Sequence, residues 1–260
     1  MGSLMSKNIL AIVEGEKADY KLMKHLFSMF YQESYYVWPY KTNLYALYNT
    51  FELNDKDDFE SLDTIQVLLS VEKDEKIRKM LKQKFTDIIL IFDFDLQDSN
   101  FSREKIEKLK RLFNESTENG KLYINYPMVE AFKHLACQND KEYLNLQVSY
   151  KDLKEGNYKK LVSRVSFETN YEKYSREMCL SVWGLNIVKT NYIMFQNKKL
   201  PENEEEYFKI NLGEVLNYQC ELLEKQGCFF VLCTCIFFFV DNRPRYFLKE
   251  IGEILNEGKL

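Results

Sequence analysis

The chain has 260 residues and a net charge of −4, with 45% hydrophobic and 29% charged residues, which excludes a disordered polypeptide and a basic protein that simply coats nucleic acid. That length suits one large domain or two ordinary ones, with room for a sizeable core. Six cysteines without a C-x-x-C pair, and only two histidines (His25 and His134), argue against structural zinc; the thiols read as reduced and buried, in a cytoplasmic protein.

The opening "MGSLMSKN" is polar and does not resemble a signal peptide. "NILAIV", 8 to 13, reads as a buried strand and stops at Glu14-Gly15. Leu22, Met23, Leu26, Phe27 and Phe30 then recur at helical spacing. "SYYVWPY" predicts a second strand ended by Pro39, "NLYALYNTF" a short helix, and 63–85 more helix with basic residues crowding its end. "DIILIFD" is an apolar strand ending in Asp93, followed by Asp95 and Asp98. A helix capped by Ser102, a strand over "GKLYINYP" and a helix over 128–137 follow. Strands alternating with helices predict an α/β fold with a mainly parallel sheet.

Beyond about residue 140 the pattern is mostly helical, so the expected domains are 1–138, with a helical insertion at about 41–86, and a helical 139–260 packed on it. "PENEEEYFKINLGEVLNYQCELLEKQG" predicts one helical unit stopped by Gly227, and "RYFLKEIGEILNEGKL" a last amphipathic helix. The run "CFFVLCTCIFFFV", 228 to 240, is too short for a membrane span, which needs about 20 residues. Its content tilts toward a buried strand, with a buried helix as the rival.

The acidic residues carry the chemistry. Residues two apart in a strand share a face, so Asp93 and Asp95 are expected to project together from the strand's C-terminal end, where open α/β sheets bind ligands. Adjacent carboxylates repel one another, and a divalent cation removes that penalty. Glu14 ends the first strand, Gly15 admits a sharp turn, and Glu130 follows the strand that ends near Pro127. Asp98 either joins this group or caps the next helix. His134 stands four residues after Glu130, on the same helical face.

In this order, "ILAIVEGEKADYKLMKHL", "IILIFDFDLQD" and "YINYPMVEAFKHL" resemble the Toprim domain, in particular the Toprim nucleases of the OLD family and of abortive-infection and anti-phage systems. The resemblance covers roughly 8 to 137. It implies that Glu14, Asp93 and Asp95 bind Mg²⁺, with Mn²⁺ as a substitute, and act on a phosphodiester. Asp98 would add a metal ligand and Glu130 a catalytic carboxylate. It also implies a partner ATPase chain, since the sequence contains no P-loop motif. The long interval between Glu14 and Asp93 departs from the pattern and requires the helical insertion.

Nucleic acid, DNA or tRNA, would be met by local basic groups: Lys17, Arg103 and Lys105 with Lys108, Lys110 and Arg111, and Lys159 and Lys160 with Arg164. A further group lies at Lys73, Lys76, Arg78, Lys79, Lys82 and Lys84. Solvated helix faces are the competing reading for each group. The expectation is thus a cytoplasmic Mg²⁺-dependent endonuclease of antiviral defence, with a homodimer left open and no membrane partner. A primase-like nucleotidyl transferase and an inactive Toprim-like binding module stay open as alternatives.

Overall fold

The computed structural model describes residues 7–54, 59–153 and 156–257. The first six residues of the opening "MGSLMSKN" lie outside these. The chain forms two compact units: residues up to 92 with 98–123, and 93–97 with residues from 124 onward.

The first unit is α/β. It comprises β1 (Asn8–Val13), α1 (Ala18–Phe30), β2 (Ser34–Pro39), α2 (Leu44–Asn54), α3 (Thr64–Val71) and α4 (Glu75–Leu81). These are followed by β3 (Asp87–Asp93), α5 (Arg103–Leu112), β4 (Asn114–Glu115) and β5 (Gly120–Asn125). The sheet order is β2-β1-β3-β5-β4, with β1 parallel to both neighbours and β4 antiparallel to β5. The sheet is therefore mostly parallel, with helices flanking it. Ile9 to Val13 on central β1 are fully buried, as a strand covered on both faces requires. α1 buries Leu22, Met23, Leu26 and Phe27 of the predicted stripe and leaves Phe30 half-buried, and Phe27 stacks on Tyr35 at 4.8 Å.

The helical 63–85 segment is divided into two helices, α3 and α4. Asp74 Oδ1 accepts from Lys76 N (2.8 Å), and Glu72 Oε1 accepts from Lys73 N and Asp74 N. These acidic side chains satisfy the amides of a helix start and so end the preceding helix at Val71. Gly120 has φ +116°, and a Cβ there would lie 2.7 Å from Leu90 Cδ1. Only glycine enters β5 at that point.

The second unit is mostly helical: β6 (Gln147–Ser149), α6 (Tyr150–Leu153), α7 (Asn157–Val165), α8 (Arg176–Phe195), α9 (Glu204–Tyr207), α10 (Leu212–Gln226), β7 (Cys228–Phe230), α11 (Phe237–Asn242) and α12 (Pro244–Glu257). Three expectations change here. The 128–137 stretch makes only a 3₁₀ turn, Val129–Lys133. The unit expected between Pro201 and Gly227 is interrupted before Asn211, whose side chain caps α10 by accepting from Gly213 N at 2.8 Å; Gly227 then ends α10 in the left-handed conformation. The 228–240 run is both things at once, a strand at its start and a helix at its end. Gln219 of α10 fixes the strand part, donating to Phe230 O and accepting from Phe230 N, both at 2.9 Å.

Trp183 of α8 stacks on Phe239 at 5.2 Å and meets Phe247 edge-on at 5.3 Å. A polar network threads the core of this unit. Asn186 Oδ1 accepts from Tyr143 Oη (2.7 Å) and Cys233 N (2.8 Å). Lys189, fully buried, donates to Leu146 O (2.9 Å) and lies 4.1 Å above the Tyr143 ring. No disulfide links the six cysteines. Four are buried as expected, but Cys137 is exposed and Cys228 half-buried. Among the described residues no helix is long and apolar enough to cross a membrane.

Candidate functional site

β3 ends at Asp93, and the next residue turns inward. Phe94 is fully buried, and its N–H lies toward Asn125 O (3.0 Å) and Pro127 O (3.2 Å). Asp95 has φ +37°, a left-handed conformation that aspartate tolerates better than most residues. The two-residue periodicity of a strand thus stops at Asp93, and the expectation that Asp93 and Asp95 project together as strand neighbours does not hold.

Asp93 is placed instead with the turn that carries Glu130. Val129 N–H donates to Asp93 Oδ1 at 2.8 Å. Glu130 is only 7% exposed; Lys159 Nζ stands 3.7 Å from Oε1, and the buried Oε2 has no hydrogen-bond partner among the described residues. Tyr158 of α7 is fully buried beneath the same turn, and its hydroxyl meets His134 Nδ1 at 3.1 Å. Burial raises the Tyr158 phenol well above its ordinary pKa, and the charges of Glu130 and Asp93 push it the same way. Burial pulls the Lys133 amine below its usual range, against the pull of Glu130. Lys133 donates to Thr169 O (3.2 Å) and lies over the Tyr171 ring.

Sequence reasoning reached Asp93, Glu130, His134 and Lys159 but missed Tyr158 and Lys133. Tyr158 is one of 18 tyrosines, and nothing in its local pattern marks it. His134 does not share an α-helical face with Glu130, because the turn that carries Glu130 is 3₁₀ and ends before His134. It is buried, and burial, followed by the charge of Lys189, lowers its pKa from 6.5 to about 4, while Asp140 opposes the shift. The folded state therefore prefers the neutral ring, and the unfolded chain takes the proton first. Stability from this group is complete above pH 6.5 and is lost as pH falls toward about 4. His134→Gln is expected to flatten this limb, measured as the wild-type minus variant difference in urea-unfolding free energy between pH 7 and 4.

Glu14 and Asp98 belong to the first unit. Glu14 is half-buried at the end of β1; its N–H donates to Ile91 O (3.1 Å) and its carbonyl accepts from Lys41 N (2.9 Å). Gly15 does not adopt a left-handed φ; a Cβ there would lie 2.6 Å from Asp19 Oδ2. Its role is to admit the buried Asp19 carboxylate, a group the sequence reading passed over. Asp98 neither caps α5, which Ser102 does, nor stands open. Its Oδ1 accepts from Asn100 N (2.6 Å) and its Oδ2 from Asn43 Nδ2. These hydrogen bonds, chiefly the Asn100 amide, lower its pKa.

The basic groups behave differently from one another. On α5, Arg103 pairs with Glu107 (2.8 Å), Lys108 with Glu104 (3.2 Å), and Lys105 lies over the Tyr48 ring. Lys17, at the start of α1, and Lys160 and Arg164, on α7, are exposed.

Comparison with family models, with curated proteins and with solved structures gives no match. The chemistry of the site must therefore be argued from its own residues. Hard carboxylate oxygens suit Mg²⁺, which takes one or two carboxylates and completes its shell with water and phosphate oxygens. A buried Glu130 oxygen lacking a donor fits such an ion. A larger set is not assembled: among the described residues, no group of three or more His, Cys, Asp or Glu side chains is placed to hold a metal.

Proposed function

We propose that this chain is a Mg²⁺-dependent nuclease cleaving phosphodiester bonds, with Asp93 and Glu130 as the carboxylates that hold the ion. The observation that carries the reading is the buried Glu130 Oε2, left without a hydrogen-bond partner on the turn whose amide fixes Asp93. A buried carboxylate oxygen without a donor is costly unless a cation or proton joins it. When bound, the ion would polarise the scissile phosphate and stabilise the leaving oxyanion.

The chain's own residues do the rest. Val129 N–H orients Asp93, and Lys159, exposed at the rim, is free to leave Glu130 for a substrate phosphate. Lys160 and Arg164, on the same helix, extend that basic edge. Glu14, Asp95 and Asp98 enter the proposal through the Toprim resemblance alone, as do a role in antiviral defence and a partner ATPase.

A second reading is favoured by the Lys159–Glu130 pair: a lysine already neutralises Glu130, as in a binding module whose carboxylates are structural. The test offers Mn²⁺ to the protein, reads binding by electron paramagnetic resonance, and assays cleavage of single-stranded DNA, duplex DNA and tRNA. Binding abolished by Glu130→Gln, together with cleavage, supports the nuclease. Wild-type protein that neither takes up Mn²⁺ nor cuts any of the three sinks it and leaves the binding module.

A further inference from the structure

Two thiols of the second unit face each other across one residue. Cys233 Sγ and Cys235 Sγ are 3.4 Å apart, and both residues are fully buried. They lie in the segment between β7 and α11, which is tied to the end of β5. Thr234 Oγ1 donates to Ile124 O (2.8 Å), and Thr234 N donates to Asn125 Oδ1 (3.1 Å), with Cys235 N nearby at 3.4 Å. Leu232 and Tyr126 exchange both backbone hydrogen bonds at 2.8 Å. Asn125 is fully buried and its Nδ2 has no hydrogen-bond partner among the described residues, which hold its amide on one side only.

We infer that Cys233 and Cys235 form a peroxide-oxidisable dithiol whose state is felt along residues 124–129. Isolated buried cysteines are ordinarily inert, because oxidants do not reach them and the thiolate is disfavoured. Here a second sulfur is already in contact, so a sulfenic acid formed on either is captured at once. The burial selects the oxidant: hydrogen peroxide is small and uncharged, whereas glutathione disulfide is neither.

The chemistry balances. One sulfur attacks a peroxide oxygen, the O–O bond breaks, and the released hydroxide takes the thiol proton to leave as water. The second sulfur then displaces hydroxide from the sulfenic sulfur, the S–S bond forms, and its proton leaves in a second water. Two thiols lose two electrons, and one peroxide gains them. A metal clamp is a weaker reading of the same pair, since no third ligand stands by it among the described residues.

Closing the bond draws the backbones of residues 233 and 235 together and moves the amides that Asn125 Oδ1 accepts. Residues 124–127 lead directly to Val129, whose amide holds Asp93. The inference itself does not depend on the nuclease reading.

The full chain is treated with hydrogen peroxide, alkylated in denaturant and mapped by peptide mass. Exposed Cys137 serves as the internal standard for oxidant dose. The expected result is a peptide about 2 Da lighter, unalkylated at Cys233 and Cys235 and restored by dithiothreitol. Amide hydrogen exchange is expected to change over 124–129 and 232–235 in the oxidised wild type. In a Cys235→Ser variant with an unaltered circular dichroism spectrum, both the mass loss and the exchange change are expected to vanish. Full alkylation of both thiols at a dose that consumes Cys137, or a disulfide from either to another cysteine, overturns the inference.

Discussion

On the proposed nuclease function, Asp93→Asn is expected to reduce Mg²⁺-dependent cleavage by about 10³-fold, while leaving the fold intact. A metal-held phosphate gains several kcal/mol of charge stabilisation, and each 1.36 kcal/mol is about tenfold in rate. Asparagine keeps a side-chain oxygen where Asp93 Oδ1 accepts from Val129 N–H at 2.8 Å, so the turn retains its tether. Alanine would instead leave that amide without its acceptor, at a cost of about 1–3 kcal/mol, and would confuse loss of metal with loss of structure. Cleavage rate and Mn²⁺ affinity are measured together with the unfolding midpoint. Full activity in the Asn variant would remove Asp93 from the chemistry. A Glu14→Gln variant tests the Toprim resemblance on its own: a comparable loss is expected if that resemblance extends to mechanism.

Lys189→Met is expected to stabilise the protein at neutral pH by on the order of 1–4 kcal/mol, the range seen when buried charged groups give way to packed apolar ones. Lys189 is fully buried on α8, and among the described residues it has no ion-pair partner; its contacts there are Leu146 O and the Tyr143 and Phe230 rings. Burial lowers its pKa well below the usual lysine value, against an opposing pull from Asp140. The unfolded chain therefore binds a proton that the folded chain resists. Stability from this group is complete above the unfolded pKa of 10.5 and declines as pH falls toward the depressed folded value. Methionine removes the charge, stays unbranched and flexible, and leaves no carbonyl stranded, because Leu146 O also accepts from Val231 N at 3.1 Å. The wild type is expected to gain stability between pH 7 and 10 relative to the variant. Parallel profiles for the two proteins would show that Lys189 is comfortably charged where it lies.

The neighbouring groups make these tests specific. Tyr143 and Asn186 brace the network under Lys189, and the Lys189 charge is one of the influences that lower the His134 pKa. The His134→Gln and Lys189→Met profiles are therefore expected to be non-additive, since the two sites are electrostatically coupled.

What the residues determine by themselves is local. The unbroken apolar runs of β1 and β3 require strands buried on both faces, and the i, i+3, i+4 stripe of α1 requires a helix lying against that sheet. Ser102 and Gly227 mark helix ends because capping uses atoms within three residues. The alternation of these elements is enough for an α/β architecture with a mostly parallel sheet. Tertiary structure decides wherever partners come from far along the chain. Asp95 leaves the strand register because Phe94 is drawn into the core. Glu130 is buried with an unmet oxygen, and Tyr158 comes to lie under it, through packing of a 3₁₀ turn against α7 that no periodicity announces. The 228–240 run divides into strand and helix because Gln219, on another helix, claims both backbone groups of Phe230. Hydrophobic spacing and caps act over one or two turns, whereas the surroundings of a carboxylate or a lysine are set by whichever distant segment closes over it.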